Sequence, residues 1–124
     1  MNFDLLLFFD RMPGTLPLYE AIAEKIDSEY KQVSITVKKT CISFGSKCNF
    51  AYVSLPTKRW KGCSAACIIL TLGLGRQVVH PRIAYSIEPY PNRWTHHIMM
   101  KSKEEVDEQL MDWIKEAYFF SLTK

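Results

Sequence analysis

The sequence lacks the common motifs that identify catalytic or cofactor sites. It contains no P-loop, no G-x-G-x-x-G turn, no H-E-x-x-H zinc motif and no G-x-S-x-G nucleophile elbow. Paired carboxylates occur only in segments with helical periodicity, where a solvated helix face is the simpler explanation. We therefore predict no catalytic residue and no cofactor, and an enzyme is the least favoured class of function.

Long apolar runs and a secretory leader are also missing. The longest apolar run, CSAACIILTLGLG, has about 13 residues, whereas a membrane-spanning helix needs about 20. The apolar start of the chain carries Asp4 and Asp10, and it lacks the basic residues and cleavage site of a signal peptide. We therefore expect a cytoplasmic protein without a membrane partner.

Cysteine is sparse, with four residues in the chain, and we expect these thiols to be reduced and mostly buried. Cys63 and Cys67 lie in a run that is typical of a strand. An extended chain would separate them by about 13 Å, whereas the ligands of one zinc ion lie about 2.3 Å from it. We therefore predict no metal site.

Acidic residues are almost absent from the middle of the chain. Residues 31–103 carry twelve basic side chains and one acidic side chain, whereas residues 1–30 and 104–124 each carry two basic and six acidic ones. The small net charge of +3 therefore conceals a strongly basic centre. This distribution predicts acidic helices packed on a basic sheet, a basic surface for an anionic partner, or both.

Helical periodicity occurs at both ends of the chain. A short helix is predicted at FDLLLFFDRM, and a second one at TLPLYEAIAEKIDSEY, with Thr15 as its cap and a buried stripe at Leu18, Ile22 and Ile26. Near the other end, Ser102 and the glutamate three residues later predict a capping box that starts the last helix.

Between these helices, apolar and polar residues alternate as they do in strands. Residues 33–37 alternate in this way, CISF and NFAYVSL predict a hairpin across GSK, and CSAACIILTLGL predicts a central strand buried on both faces. RIAYSIE and RWTHHIMM predict two further strands. The chain is therefore predicted to form one α+β domain over residues 1–124, with N-terminal helices, a mainly antiparallel sheet of five or six strands, and a C-terminal helix packed on the sheet.

Several segments carry a resemblance to a known family: CISF, FAYVSLP, PRI, WTHHI and EEVDEQLMDWIKEAY. They resemble a family of small prokaryotic domains described only as domain-of-unknown-function family 5655. The most specific part is the closing pattern Asp107, Trp113, Ala117 and Tyr118. The resemblance implies a stand-alone domain or a module of larger proteins, and it implies no activity. The layout is also similar, more distantly, to frataxin-like α+β folds and double-wing DNA-binding families, a comparison of topology alone.

Two adjacent histidines, His96 and His97, are the most conspicuous candidates for a site. Neighbouring side chains of a strand point to opposite faces, so the two rings cannot bind one metal ion or one substrate atom. We expect His96 to be half-buried with a hydrogen-bond partner and His97 to face water. The functional alternative places His97 beside Arg93 and Lys101 on a basic strip that contacts phosphate.

The loop TKRWKG is the second candidate. Lys58, Arg59 and Lys61 can contact phosphates, and Trp60 offers a ring on which a base can stack. A solvated basic loop is the simpler alternative. Aromatic residues of the strands, such as Phe50 and Tyr85, are predicted to lie mostly in the core, because the signature of sheet-based RNA readers is absent.

Two functions remain for this domain. The first is a binding module that recognises nucleic acid or another anionic partner through a basic sheet and loop surface. The second is a protein-interaction or oligomerisation domain in which Trp60, Trp94 and Met99 lie at the partner surface, because Trp and Met are enriched at interfaces.

Overall fold

The computed structural model describes residues 7–10, 13–30, 33–38, 41–45, 48–55 and 67–122. This part of the chain contains two full-length α-helices and six strands, which confirms the predicted α+β class. They are α1 (Leu16–Glu29), β1 (Ser34–Val37), β2 (Ile42–Gly45), β3 (Asn49–Ser54), β4 (Ile68–Leu74), β5 (Ile83–Tyr90), β6 (Arg93–Met100) and α2 (Glu108–Ser121). Short 3₁₀ turns at Pro13–Thr15 and Lys103–Glu105 precede the two helices.

The six strands form one sheet in the order β1-β2-β3-β4-β6-β5. Every pair of neighbouring strands is antiparallel, as predicted. The spatial order departs from the chain order at one point, because β6 lies between β4 and β5. The hairpin of β5 and β6 is therefore joined to the rest of the sheet through β6, which pairs with β4.

The core lies between the sheet and the two helices. Leu18, Ile22 and Ile26 of α1 are buried, as the helical stripe predicts. Tyr19 of α1 stacks on Phe44 of β2. Helix α2 buries its own stripe, Leu110, Trp113, Ile114 and Ala117, mainly against β3 and β4. Both helices therefore cover the same face of the sheet.

Strand β4 is buried along most of its length, and Ile68, Leu70 and Leu72 are fully buried. This confirms the predicted central strand for Ile68–Leu74. The strand begins only at Ile68, and Cys67 immediately before it is disulfide-bonded, whereas Cys41 and Cys48 are free thiols. The expectation of four reduced thiols is therefore wrong for Cys67, because it rested on the missing secretory leader and not on the geometry around the cysteine.

Thr15 is the N-cap residue of α1, as predicted, although its side chain makes no capping hydrogen bond to the helix. The predicted start of the last helix is corrected. The Glu105 carboxylate accepts a hydrogen bond from the Ser102 N–H, as a capping box requires, but this motif begins the 3₁₀ turn Lys103–Glu105. The N-cap of α2 is Asp107, whose side chain accepts a hydrogen bond from the Leu110 N–H.

Of the predicted first helix, the structure describes Leu7–Asp10, in which Leu7 and Phe8 are helical and Phe9 is buried against Tyr19. At the sheet edge, β1 is more exposed than its alternation predicts, and Ile35 is accessible to solvent. In the described part of the chain, no helix is both long enough and apolar enough to cross a membrane.

Candidate nucleic-acid interface

The sheet has one face that packs against the helices and one that points away from them. On β4, Ile68, Leu70 and Leu72 point to the helices, so Ile69, Thr71 and Gly73 point the other way. We call this second surface the outer face. The predicted candidates Arg93 and His97 belong to the outer-face set of β6, because His96, Ile98 and Met100 form its buried set.

The strand register aligns six outer-face side chains in one row across the sheet. Each member is the Cα partner of the next: Thr36, Ser43, Tyr52, Thr71, His97 and Tyr85. Directly opposed residues on one face of an antiparallel pair lie close enough for their side chains to interact. The row is therefore a continuous strip of hydroxyl and aromatic groups, and it contains no carboxylate.

Burial differs between the middle strands and the edge strands of the outer face. Ser43 and Ile69, in the middle strands, are almost completely buried. Tyr85 and Ile87 on β5, in contrast, are 45% and 53% exposed. Ser34 and Thr36 on β1 are exposed as well, but the part of the outer face that carries an exposed aromatic ring is the one formed by β5 and β6.

His97 is enclosed by its neighbours on this surface. Its ring stacks on that of Tyr85, with centroids 4.3 Å apart and planes inclined by 27°. Nδ1 lies 3.1 Å from the hydroxyl oxygen of Thr71, and Nε2 is buried without a hydrogen-bond partner. The expectation that His97 simply faces water is therefore wrong, because Tyr85 and Thr71 cover it from the adjacent strands.

Burial also determines the charge of His97. It lowers the pKa of the imidazole below its ordinary value near 6.5, and the neighbouring His96 lowers it further. The ring is therefore neutral at pH 7. In this state His97 contributes an aromatic plane and a buried polar nitrogen to the outer face, and it contributes no positive charge.

His96 lies on the opposite face, as the strand alternation predicts. It is almost fully buried, and its Nε2 accepts a hydrogen bond of 2.8 Å from the backbone N–H of Val78. Burial lowers the pKa of this ring as well. His96 is therefore a structural residue that holds the segment between β4 and β5, and it is more deeply buried than the predicted half-buried side chain.

The positive charge of the interface comes from residues at the two ends of β6. Arg93 is exposed and follows a tight turn in which Asn92 adopts a left-handed conformation with a φ of 63°. The Glu88 carboxylate accepts the Asn92 N–H and supports this turn. In the described part of the chain, the Arg93 guanidinium has no ion-pair partner. Lys101 is exposed directly after the other end of β6.

A small cavity lies beside Arg93, where β3 begins and β4 ends. Its volume is about 200 Å³. Four aromatic side chains line it: Phe50, Tyr52, Trp94 and Phe120. Its polar lining consists of Asn49, Thr71, Thr95 and Arg93, and Gly73 adds no side chain to the surface. The cavity is thus continuous with the row of outer-face residues through Tyr52 and Thr71.

The predicted loop candidates Lys58, Arg59, Trp60 and Lys61 lie outside the described residues. Trp94 and Met99 are the described residues that we predicted at the surface of a protein-interaction domain. Each is half-buried, and Trp94 belongs to the helix-facing set of β6. The strand aromatics are partly as predicted, since Phe50 lies in the core but Tyr85 is exposed.

Sequence reasoning missed Tyr85, Thr71 and Tyr52 as members of the interface. Their alternation within each strand was visible. Their alignment in one row depends on the order of the strands, and β5 also shifts register between Ile83 and Tyr85 through a bulge. The exposure of Tyr85 would have identified it as an interface residue, but this exposure follows from the place of β5 at the sheet edge. The sequence alone does not give the order of the strands.

The groove between α1 and α2 is larger, at about 430 Å³, but it has a different character. Its ionic lining combines lysines with a majority of carboxylates, among them Glu29, Glu108 and Asp112. An anion is therefore not favoured there. Among the residues that the structure describes, no three histidine, cysteine or carboxylate side chains are grouped as metal ligands would be.

One family model, described as "Domain of unknown function (DUF5655)", matches residues 8–121. Neither the comparison with curated proteins nor the comparison with solved structures found a match, so the topological similarity to frataxin-like and double-wing folds stays a prediction. The family match spans the described helices and all six strands. The chain therefore belongs to the DUF5655 family.

Proposed function

We propose that this domain binds single-stranded nucleic acid through the part of the outer face formed by β5 and β6. The observation that carries the proposal is the composition of this surface. The stacked rings of Tyr85 and His97 lie between Arg93 and Lys101 at the two ends of β6. Aromatic planes and cations on one surface are what single-stranded nucleic acids require.

The distribution of charge supports an anionic partner. Of the thirteen acidic residues of the chain, twelve lie in residues 1–30 and 104–124, and Glu88 is the exception. The two α-helices that these segments form cover the face of the sheet opposite to the interface. A strand of phosphates on the outer face would therefore be separated from most of the carboxylates by the thickness of the sheet.

An exposed sheet surface with aromatic rings favours a single strand over a duplex. Sheet surfaces bind single-stranded RNA by stacking two or three unpaired bases on exposed aromatic rings. In a duplex the base faces are already stacked on one another and are not accessible. Arg93 and Lys101 are separated by about 26 Å along β6, so they would contact phosphates several nucleotides apart.

The segment Lys58–Lys61 is a second proposed contact, on the basis of its sequence alone. Three cations and one tryptophan within four residues provide the same combination of phosphate and base contacts. This part of the proposal is independent of the interface on β5 and β6. Substitution of Lys58, Arg59, Trp60 and Lys61 tests it separately.

Fluorescence anisotropy with a labelled single strand and a labelled duplex of equal length, across a salt series, tests the proposal. We expect tighter binding of the single strand, with log affinity falling by about 0.7 per phosphate contact for each unit of log salt concentration. Arg93→Ala and Lys101→Ala should each flatten this slope, whereas Lys115→Ala on α2 is the matched control and should leave it unchanged. No binding at low salt, or identical slopes for all variants, would reject the proposal.

One observation favours the alternative of self-association. Strand β5 is an edge strand, and Tyr85 and Ile87 are exposed on its outer-face side. Exposed edge strands are potential pairing sites, although Pro89 and two irregularities of register interrupt β5. Sedimentation of the protein alone over a range of concentrations separates the two functions, because a dimer without affinity for nucleic acid would favour this alternative.

A further inference from the structure

We infer that the cavity beside Arg93 is a binding site for one nucleobase of the bound strand. The inference rests on the proposed function and deepens it, because it names the group that is recognised and the place where it is held. The size of the cavity, its aromatic walls and its polar groups each point to this class of ligand.

The size of the cavity limits the ligand to a small group. Pockets for drug-sized molecules are about 300–1,000 Å³, whereas this cavity has about 200 Å³. It is therefore suited to one small ring system with its substituents. A longer polymer segment would have to remain outside, on the outer face.

The walls of the cavity favour a planar ring. Phe50, Tyr52, Trp94 and Phe120 approach it from three different elements, β3, β6 and α2. Any of the nucleobases can stack on an aromatic side chain, because every base has a π-face. Four aromatic residues around so small a volume are more than an aliphatic or purely anionic ligand would need.

The polar groups of the cavity provide hydrogen bonds to the edge of such a ring. The amide of Asn49 and the hydroxyls of Tyr52, Thr71 and Thr95 can each donate and accept. Arg93 adds a guanidinium that can pair with the phosphate of the same nucleotide. The combination of π-faces, neutral hydrogen-bonding groups and one cation corresponds to a nucleotide, and a phosphate alone would leave the aromatic walls unused.

Thr71 connects this cavity to His97. Its hydroxyl lies 3.1 Å from Nδ1 of His97, and Thr71 is also one of the residues that line the cavity. If Nδ1 carries the proton, the Thr71 hydroxyl accepts from His97 and keeps its own hydrogen for the base. If Nε2 carries it, the hydroxyl donates to His97 and can only accept from the base. The tautomer of His97 therefore selects which base edge Thr71 can recognise.

Two oligonucleotides of equal length test the inference, one with thymine bases and one with abasic sites throughout. We expect the wild-type protein to bind the first strand about 5- to 150-fold more tightly, the range of one stacked base. Gly73→Val places a side chain in the cavity and should remove the part of this preference that the cavity provides, while retaining the salt-dependent binding of the abasic strand. Thr95→Val, which keeps the shape of the side chain, should weaken the preference even if Gly73→Val fails to fold. Met99→Leu, on the outer face but outside the cavity lining, is the matched control.

The outcomes separate the inference from the proposed function. An undiminished preference in folded Gly73→Val and Thr95→Val would overturn the inference and leave the proposed function intact, whereas equal affinity of the wild-type protein for both strands would overturn the inference and also exclude base stacking on β5 and β6. Failure to bind either strand at low salt would reject the proposed function. In that case, titration of the ¹⁵N-labelled protein with thymidine monophosphate decides the inference, since absence of shifts at the Gly73 and Thr95 amides would overturn it too.

Discussion

The imidazole of His96 accepts a hydrogen bond from the backbone N–H of Val78, with Nε2 and N separated by 2.8 Å. This bond requires a lone pair on Nε2, so the neutral ring holds its proton on Nδ1. A protonated ring would present an N–H group to the N–H of Val78, and the bond would be lost. The contact between β6 and the segment after β4 therefore depends on a neutral histidine.

The free energy of unfolding should decrease as the pH falls below about 6.5. Burial lowers the pKa of His96 and of His97 in the folded protein, whereas both rings take up protons near pH 6.5 when the chain unfolds. The stabilisation is therefore fully present above that pH and is lost progressively below it, by up to about 1.4 kcal/mol per pH unit for each histidine. Urea denaturation at pH 7.5, 6.5 and 5.5 measures this effect.

Substitution separates the contribution of His96 from that of other groups. His96→Gln offers a neutral acceptor to Val78, so the variant should be less stable than the wild-type protein at pH 7.5 but less sensitive to acid. A wild-type stability that is constant from pH 7.5 to 5.5, or an equal acid sensitivity of the variant, would contradict this account.

Asp107 should contribute more to stability than its exposed ion pair suggests. Its carboxylate caps α2 through the Leu110 N–H, and it also accepts two hydrogen bonds from the Arg82 guanidinium. Asp107→Ala removes both interactions and should cost about 1–2 kcal/mol. Asp107→Asn retains a capping oxygen and should cost less. Thermal denaturation at pH 7 compares the two, and equal losses would show that the cap contributes nothing beyond the charge.

The glycine at the end of β2 should resist substitution. A Cβ on Gly45 would lie 2.9 Å from the Cα of Asn49 and would also overlap its side-chain oxygen. Backbone cannot move aside in the way a side chain can, so Gly45→Ala should destabilise the domain by about 1–3 kcal/mol. Gly75→Ala is the matched control, because its Cβ would meet the ring of Phe120, which can rotate. Chemical denaturation should show the larger loss for Gly45→Ala.

Nucleic-acid binding should respond differently to Tyr85→Phe and to Tyr85→Ala. Phenylalanine keeps the ring that stacks on His97, so single-strand affinity should remain within about twofold. Alanine removes that ring and should weaken binding by about 1–3 kcal/mol if a base stacks there. Anisotropy titrations at fixed salt distinguish these outcomes, and equal effects of the two substitutions would exclude stacking at Tyr85.

The segment Lys58–Lys61 is tested by its own variants. Replacing Lys58, Arg59 and Lys61 together with alanine should flatten the salt dependence of single-strand binding by up to about 2 units. Trp60→Ala should instead reduce single-strand affinity with little change in slope. The thermal stability of the triple variant serves as the control, and an unchanged slope would restrict the interface to β5 and β6.

Periodicity in the sequence determined the elements of this domain and the direction of most side chains. The stripe of Leu18, Ile22 and Ile26 predicted α1, and the alternation of RWTHHIMM predicted that His96 and His97 point to opposite faces. Both follow from local geometry, because the helical and strand periods are properties of the backbone itself. The predicted capping box of Ser102 and Glu105 is present, but it begins the 3₁₀ turn, and Asp107 caps α2 instead.

Only the tertiary structure decided which strands are neighbours. The placement of β6 between β4 and β5 brings Thr71, His97 and Tyr85 into one row and leaves Tyr85 at the edge. It also brings Gly73 and Arg93 to the same cavity. Strand order depends on the packing of apolar faces that are far apart in the chain, and the alternation within a single strand carries no information about its partner.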